Sequence, residues 1–215
     1  MTYTGEVTRG GAPAVRDLGK LTMTKVSVGP MDNNAYLLRS GDAQVLIDAA
    51  NDASTLLGLI GSGGLRTVVT THRHGDHWQA LAEVVSATGA ESVAHIDDAP
   101  EIPVVNTTLR DGDTVTVGDC SLEVIHLVGH TPGSVALLFQ DSDGTHHLWT
   151  GDSLFPGGVG NTHGDKANFE SLINDVERKI FDRLPDDTWF YPGHGKDSTL
   201  GAERPHLAEW RARGW

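Results

Sequence analysis

"TVVTTHRHGDHW", residues 67–78, sets three histidines and an aspartate within six consecutive positions directly after an apolar run. His72 and His74 are two apart, a spacing that turns both side chains to one side in extended backbone. Gly75 then permits a tight turn ahead of Asp76 and His77. The pattern fits a strand running into a metal-binding loop. A lone histidine in such a place is usually a polar surface residue. Three with a carboxylate are harder to explain that way, because imidazole and carboxylate are ligands that suit zinc, iron or manganese.

Composition narrows what such a loop serves. At 215 residues and 38% hydrophobic, the chain can bury a substantial core in a single domain. No apolar stretch approaches the roughly eighteen residues of a membrane span, and the N-terminal "MTYTGEVTRGGAPAVRDLG" lacks the apolar core of a secretion signal. A soluble, cytoplasmic protein with no membrane partner is therefore expected. Cys120 is the sole cysteine, which excludes an intramolecular disulfide and a thiolate-rich metal site. Any metal must be held by nitrogen and oxygen. A formal net charge of −13 argues against nucleic acid as a partner, since that needs a basic footprint.

Along the chain, strand-like and helix-like periodicity alternate without an internal repeat. Strands are expected at 23–29, 34–40 and 43–49, followed by a helix over 53–60, the apolar run "RTVVTT" and a second helix over about 78–87. The second half continues with "TVTVG", "CSLEVIHLV", "SVALLFQ" and "HHLWTG", a helix over 169–184 and the strand-like "TWFYPG". The class is α/β, built in layers. Residues 1–20 read as an N-terminal arm, either disordered or an added edge strand, ahead of a domain spanning 21–215.

Three further polar residues sit where an apolar run gives way to a turn: His130 in "HLVGHTPGS", Asp152 in "LWTGDSLF" and His194 in "WFYPGHGKD". A glycine precedes each, so a side chain at a strand end can project into a shared crevice. With His72, His74, Asp76 and His77 this makes seven candidate ligands, five histidines and two aspartates. That is too many for one ion and about right for two, with one carboxylate bridging. His95, His126, His146, His147 and His206 lack this context and read as surface or core histidines. His163, in the Gly-rich "GGVGNTHGD", is a candidate for the substrate entrance.

The residues also resemble a known family. "THRHGDH" is similar to the H-x-H-x-D-H motif of the metallo-β-lactamase superfamily, and His130, Asp152 and His194 follow in the order of its remaining ligands. The segments "HTPGS", "GDSLFPGG" and "YPGHG" look most like type II glyoxalases, the hydroxyacylglutathione hydrolases. This resemblance implies an αββα four-layer sandwich with metals at one edge between two sheets. It implies His72, His74 and His130 at a first metal, Asp76, His77 and His194 at a second, and Asp152 bridging. Two divalent ions, zinc before iron or manganese, are the implied cofactors.

Chemistry follows from such a pair. Water caught between two cations about 3.5 Å apart loses its proton near neutral pH, because the pKa of water falls from about 15.7 to about 7 on one zinc. The expected reaction is hydrolysis of a small thioester by a metal-bridging hydroxide, with Asp76 orienting the nucleophile. A thiol of pKa about 8.5 leaves readily. The resemblance weakens where substrate is chosen. Trp78-Gln79-Ala80 replaces the family's Gly-Gly, Asn161 stands where an arginine is usual, and 21 residues follow His194, too few for the helical domain that helps hold glutathione. Two other readings stand beside the hydrolase. One is a persulfide dioxygenase with a single iron on residues matching His72, His130 and Asp152; the other is a non-catalytic metal-binding protein. The thiol carrier and the oligomeric state are not legible in the sequence.

Overall fold

Leu37 and Leu38 are neighbours in sequence and both buried, yet they belong to different hydrophobic clusters. The same split separates Leu46 from Val45, Val68 from Val69, Val124 from Ile125 and Leu137 from Leu138. Successive residues of a strand face opposite ways, so two covered faces require near-continuous apolar runs. The structure, a computed structural model, describes residues 3–214. Met1 and Thr2, at the start of the expected arm, and Trp215, at the end of the expected domain, lie outside the described residues.

The first sheet has seven strands in sequential order. They are β1 (Ala14–Asp17), β2 (Thr22–Val28), β3 (Asn33–Ser40), β4 (Ala43–Ile47), β5 (Gly64–Thr70), β6 (Glu91–His95) and β7 (Thr107–Leu109). β1 to β4 form an antiparallel meander, and β4 to β7 run parallel. Parallel strands need crossovers, supplied between β4 and β5 by α1 (Ala53–Ile60) and between β5 and β6 by α2 (Leu81–Thr88). The second sheet contains β8 (Thr114–Val117), β9 (Cys120–His126), β10 (Val135–Gln140) and β11 (His146–Gly151). After a small hairpin, β12 (Leu154–Phe155) with β13 (Gly158–Val159), and α3 (Lys166–Val176), it is completed by β14 (Trp189–Pro192) and β15 (Ser198–Thr199). Its order is β15-β14-β11-β10-β9-β8. The chain then enters α4 (Leu200–Glu203) and α5 (Leu207–Arg213).

Three apolar clusters make this a four-layer αββα sandwich, as the family resemblance implied. Met23, Leu38, Ile47 and Val69 of the first sheet meet Leu122, Val124, Leu137 and Trp149 of the second. Leu56, Ile60, Leu81 and Val84 of α1 and α2 cover the outer face of the first sheet. Phe169, Leu172, Ile173 and Val176 of α3, with Trp210 of α5, cover that of the second.

Several boundaries differ from those expected. α2 begins at Leu81 because Trp78 folds back, its indole Nε1 donating to Arg73 O at 2.8 Å. α3 begins at Lys166 because Asp165 caps it, accepting from Asn168 N, and it runs on as a π-helical turn over Glu177–Phe181. Ala14–Asp17 pairs with β2 as an edge strand. Among the described residues no helix is long and apolar enough to cross a membrane.

Candidate metal centre

Strand direction gathers the polar residues. β9, β11 and β14 run the same way, so their carboxyl ends deliver His130, Asp152 and His194 to one edge of the second sheet. Facing them, the carboxyl end of β5 delivers His72 and His74, and a 3-10 turn over Gly75–His77 presents Asp76 and His77. Backbone bonds stitch the sheets together there: Val135 N donates to Thr71 O at 2.9 Å and Asn34 N to Gly193 O at 2.7 Å.

All seven candidates meet at this edge, in two overlapping groups. The rings of His72, His74 and His130 are 4.6–4.9 Å apart between centroids. In the other group, His194 Nε2 lies 3.3 Å from both His77 Nε2 and Asp76 Oδ2. Asp152 faces both, with Oδ1 3.4 Å from His77 Nε2 and Oδ2 3.8 Å from His130 Nε2 and 3.5 Å from His194 Nε2. Gly193 makes this approach possible, since a Cβ there would lie 2.3 Å from Asp152 Oδ1 and 2.6 Å from His77 Cε1. Gly151 serves the turn itself, at φ 49°.

Outer hydrogen bonds fix which nitrogen faces inward. His130 Nδ1 donates to Asn161 O at 2.8 Å and His194 Nδ1 to Met31 O at 3.0 Å, because a carbonyl can only accept. His77 Nδ1 lies 2.7 Å from Asp48 Oδ2. The Thr71 hydroxyl gives its proton to Asp48 at 2.8 Å, so at 3.0 Å it accepts from His72 Nδ1. In each case Nε2 is left facing the centre, the arrangement that metal-ligating histidines adopt.

These inward atoms fit divalent cations. His72 Nε2, His130 Nε2 and Asp152 Oδ1 are buried without a hydrogen-bond partner, a costly state unless something else satisfies them. Separations near 3.3 Å match those of tetrahedral ligands about 2.0–2.1 Å from one ion. Burial, then the neighbouring imidazoles, holds His72 well below the ordinary histidine range, in its neutral form. Burial opposes charge on Asp152 and Asp76 too. It is outweighed on Asp152 chiefly by His77, and on Asp76 by the Asn33 hydrogen bond and His77, so both carboxyls fall below their usual value. His77 differs: burial lowers its proton affinity, but Asp48 and Asp152 together carry it well above the ordinary range.

Asp48 and Asn33 were not foreseen. Asp48 is 1% exposed and Asn33, also 1%, donates to Asp76 Oδ2 at 2.9 Å. The signal for Asp48 is the same as for Asp152, an acid directly after an apolar strand in "VLIDAA". His163 adopts φ 55°, and its ring lies 6.1 Å from that of His74. With Arg73, His130, Thr162 and Asn168 it lines a cleft of about 390 Å³ opening on the first group. A second cleft, about 570 Å³ and lined by Arg39, Gln44 and Gly63, lies at the opposite edge, away from the histidines. His95, Asp97 and His126 also come together. The two rings stack 3.8 Å apart at 21°, so their lone pairs run side by side rather than converging on one ion.

Residues 28–194 match the family model of the metallo-beta-lactamase superfamily. The chain belongs to that superfamily. Superfamily membership implies divalent metal ions, and the His/Asp groups described above are candidates to hold them. The chain is 35% identical over 167 residues to the hydroxyacylglutathione hydrolase of Fuscovulum blasticum, covering 76% of this chain and 62% of that protein. It thus spans under two thirds of that relative's length. It is 29% identical over 202 residues to the probable metallo-hydrolase YqgX of Bacillus subtilis (strain 168), covering 84% and 93%. Among solved structures of superfamily relatives, TTHA1623 in a di-iron-bound form superposes with a TM-score of 0.72 at 32% identity, covering 84% of this chain and 96% of that one.

Proposed function

We propose that the chain is a metal-dependent hydrolase that cleaves a small thioester at this edge, with two divalent ions, zinc foremost. His72, His74 and His130 would hold the first, Asp76, His77 and His194 the second, and Asp152 would serve both. The observation that carries this is the position of Asp152, one oxygen toward His77 and the other toward His130. A pair of divalent cations, when bound, supplies a hydroxide nucleophile near neutral pH and polarises the acyl carbonyl.

The chain's own residues do the rest. Asp48, Thr71, Asn161 and Met31 fix the histidine tautomers, so the ligands are pre-set. Asn33 anchors Asp76 through one oxygen, leaving the other to accept from the attacking water and orient it. The cleft beside His163 admits the acyl or thiol portion of the substrate. A departing thiol of pKa about 8.5 needs no dedicated acid, and Cys120, buried in the sandwich, is no nucleophile. The names of the matched hydroxyacylglutathione hydrolases support the substrate class, and the di-iron form of a 32% identical structure supports two ions.

The test is hydrolysis of S-lactoylglutathione and a panel of other thioesters by metal-loaded protein, beside the chelated protein. Cleavage that chelation abolishes and metal restores is expected; cleavage indifferent to chelation would overturn the reading. One observation favours a second reading. Among the seven candidate ligands, the buried atoms without partners are on His72, His130 and Asp152, a two-histidine, one-carboxylate set suited to a single iron and oxygen chemistry. Oxygen uptake with glutathione persulfide by an iron-loaded protein separates the two.

A further inference from the structure

We propose that Asp98 is a positioning residue for the first metal group, holding the His72/His74 loop and the His130 loop at their mutual spacing. The assignment rests on the two-metal reading above. Asp98 is fully buried and follows β6, on neither ligand loop. Its Oδ2 accepts from Arg73 N at 2.9 Å and from Thr131 Oγ1 at 2.6 Å, and its Oδ1 from Gly133 N at 2.8 Å. Arg73 lies between His72 and His74, while Thr131 and Gly133 follow His130. One carboxylate thus joins the two loops that supply all three ligands of the first group. Its bonds stop at Arg73, Thr131 and Gly133, short of the 3-10 turn over Gly75–His77 and of the segments that carry Asp152 and His194.

Burying a carboxylate is costly, and three charge-assisted hydrogen bonds are what sustain it. The loop is also seated tightly, since a Cβ on Gly133 would lie 2.6 Å from Asp98 N. Two contacts brace the arrangement. The Arg73 guanidinium pairs with Glu101, at the end of the short turn that begins after Asp98, and His126 Nε2 donates to Pro132 O at 2.7 Å. Thr131 spends its hydroxyl proton on Asp98, so Ser134 Oγ, 2.6 Å away, donates to Thr131 Oγ1. Asp98 touches no candidate ligand. It acts through the backbone on either side of them, on the His74–His130 separation of 4.6 Å in particular.

Asp98→Asn places an amide donor against at least one of these donors without changing side-chain size. Zinc titrations of wild type and variant against a chromophoric chelator, giving two stepwise dissociation constants, read the consequence. The first-site constant should weaken about ten- to a hundredfold, the usual scale for groups behind a ligand, with the second unchanged. Cobalt(II) absorption should report the loss at one site. Gly133→Ala should give the same selective loss from the other side of the contact. Thr131→Val should give a smaller loss that Thr131→Ser restores, and this pair keeps the test available if Asp98→Asn does not fold. Two equivalents in wild type, with both constants unmoved or both weakened together in folded variants, would overturn the role of Asp98 alone. Fewer than two equivalents in wild type would overturn the two-metal reading and this role with it.

Discussion

His77 Nδ1 lies 2.7 Å from Asp48 Oδ2, with the two side chains 0% and 2% exposed. That contact decides which nitrogen of His77 faces the centre, and through Thr71 it also sets His72. Asp48 therefore governs one histidine of each group from a position that touches no substrate.

Asp48→Asn keeps the size of the side chain but can present an N–H where His77 needs an acceptor. Steady-state thioester hydrolysis should fall about ten- to a hundredfold, the scale expected when the partner of a ligating histidine is lost. Circular dichroism should remain that of the wild type. Undiminished turnover would remove Asp48 from the account.

Gly193→Ala introduces a methyl group where Asp152 Oδ1 and His77 Cε1 stand at 2.3 and 2.6 Å. Neither is the free end of a flexible side chain, because His77 is fully buried and bonded to Asp48. Metal content should drop and activity should vanish in a protein that still unfolds cooperatively. Retention of both would show that this edge is looser than drawn.

Asp152→Ala removes a buried carboxylate whose Oδ1 has no hydrogen-bond partner. Without metal the variant should still fold, since His77 keeps its contact with Asp48. With zinc in excess the wild type should gain stability, about 2.7 kcal/mol at a hundred times the dissociation constant, and the variant should gain little. Equal zinc-induced rises in melting temperature would contradict the central place of Asp152.

Stability should also depend on pH through His147, far from the metal groups. Its Nδ1 accepts from the Tyr191 hydroxyl at 2.8 Å, its Nε2 faces Asp141 Oδ2 at 3.1 Å, and it is 1% exposed. Burial holds its proton affinity below the ordinary value, more than Asp141 can offset. The unfolded chain therefore binds a proton, below pH of about 6.5, that the folded chain resists. The stability present above that value is lost as pH falls below it. Urea midpoints of chelated protein at pH 7.5 and 5.5 should differ more for wild type than for His147→Gln; identical differences would refute this.

The sequence made the layered fold legible wherever burial on both faces produced continuous apolar runs, as in "AQVLIDA" and "SVALLFQ". The seven candidate ligands that meet at this edge were legible because they come at or just after strand-like runs, with a glycine beside every one but His72 and His77. The sequence did not expose the supports. Asp48, Asn33 and Asp98 are ordinary acids and amides in the primary structure, and only the facing of two sheets shows what they hold. Strands β6 and β7 escaped notice for a related reason: "ESVAH" and "TTL" are short and half polar, and they are strands because β5 is there to pair with. Helix starts were misplaced where a side chain set the boundary, at Trp78 and at Asp165.

Metal content per chain, measured by elemental analysis after loading and gel filtration, tests the central claim most directly. Two divalent ions per chain are expected, falling toward none in Asp152→Ala. A single iron per wild-type chain, with oxygen uptake and no thioester cleavage, would contradict the two-metal reading and leave Asp76, His77 and His194 without the role proposed for them.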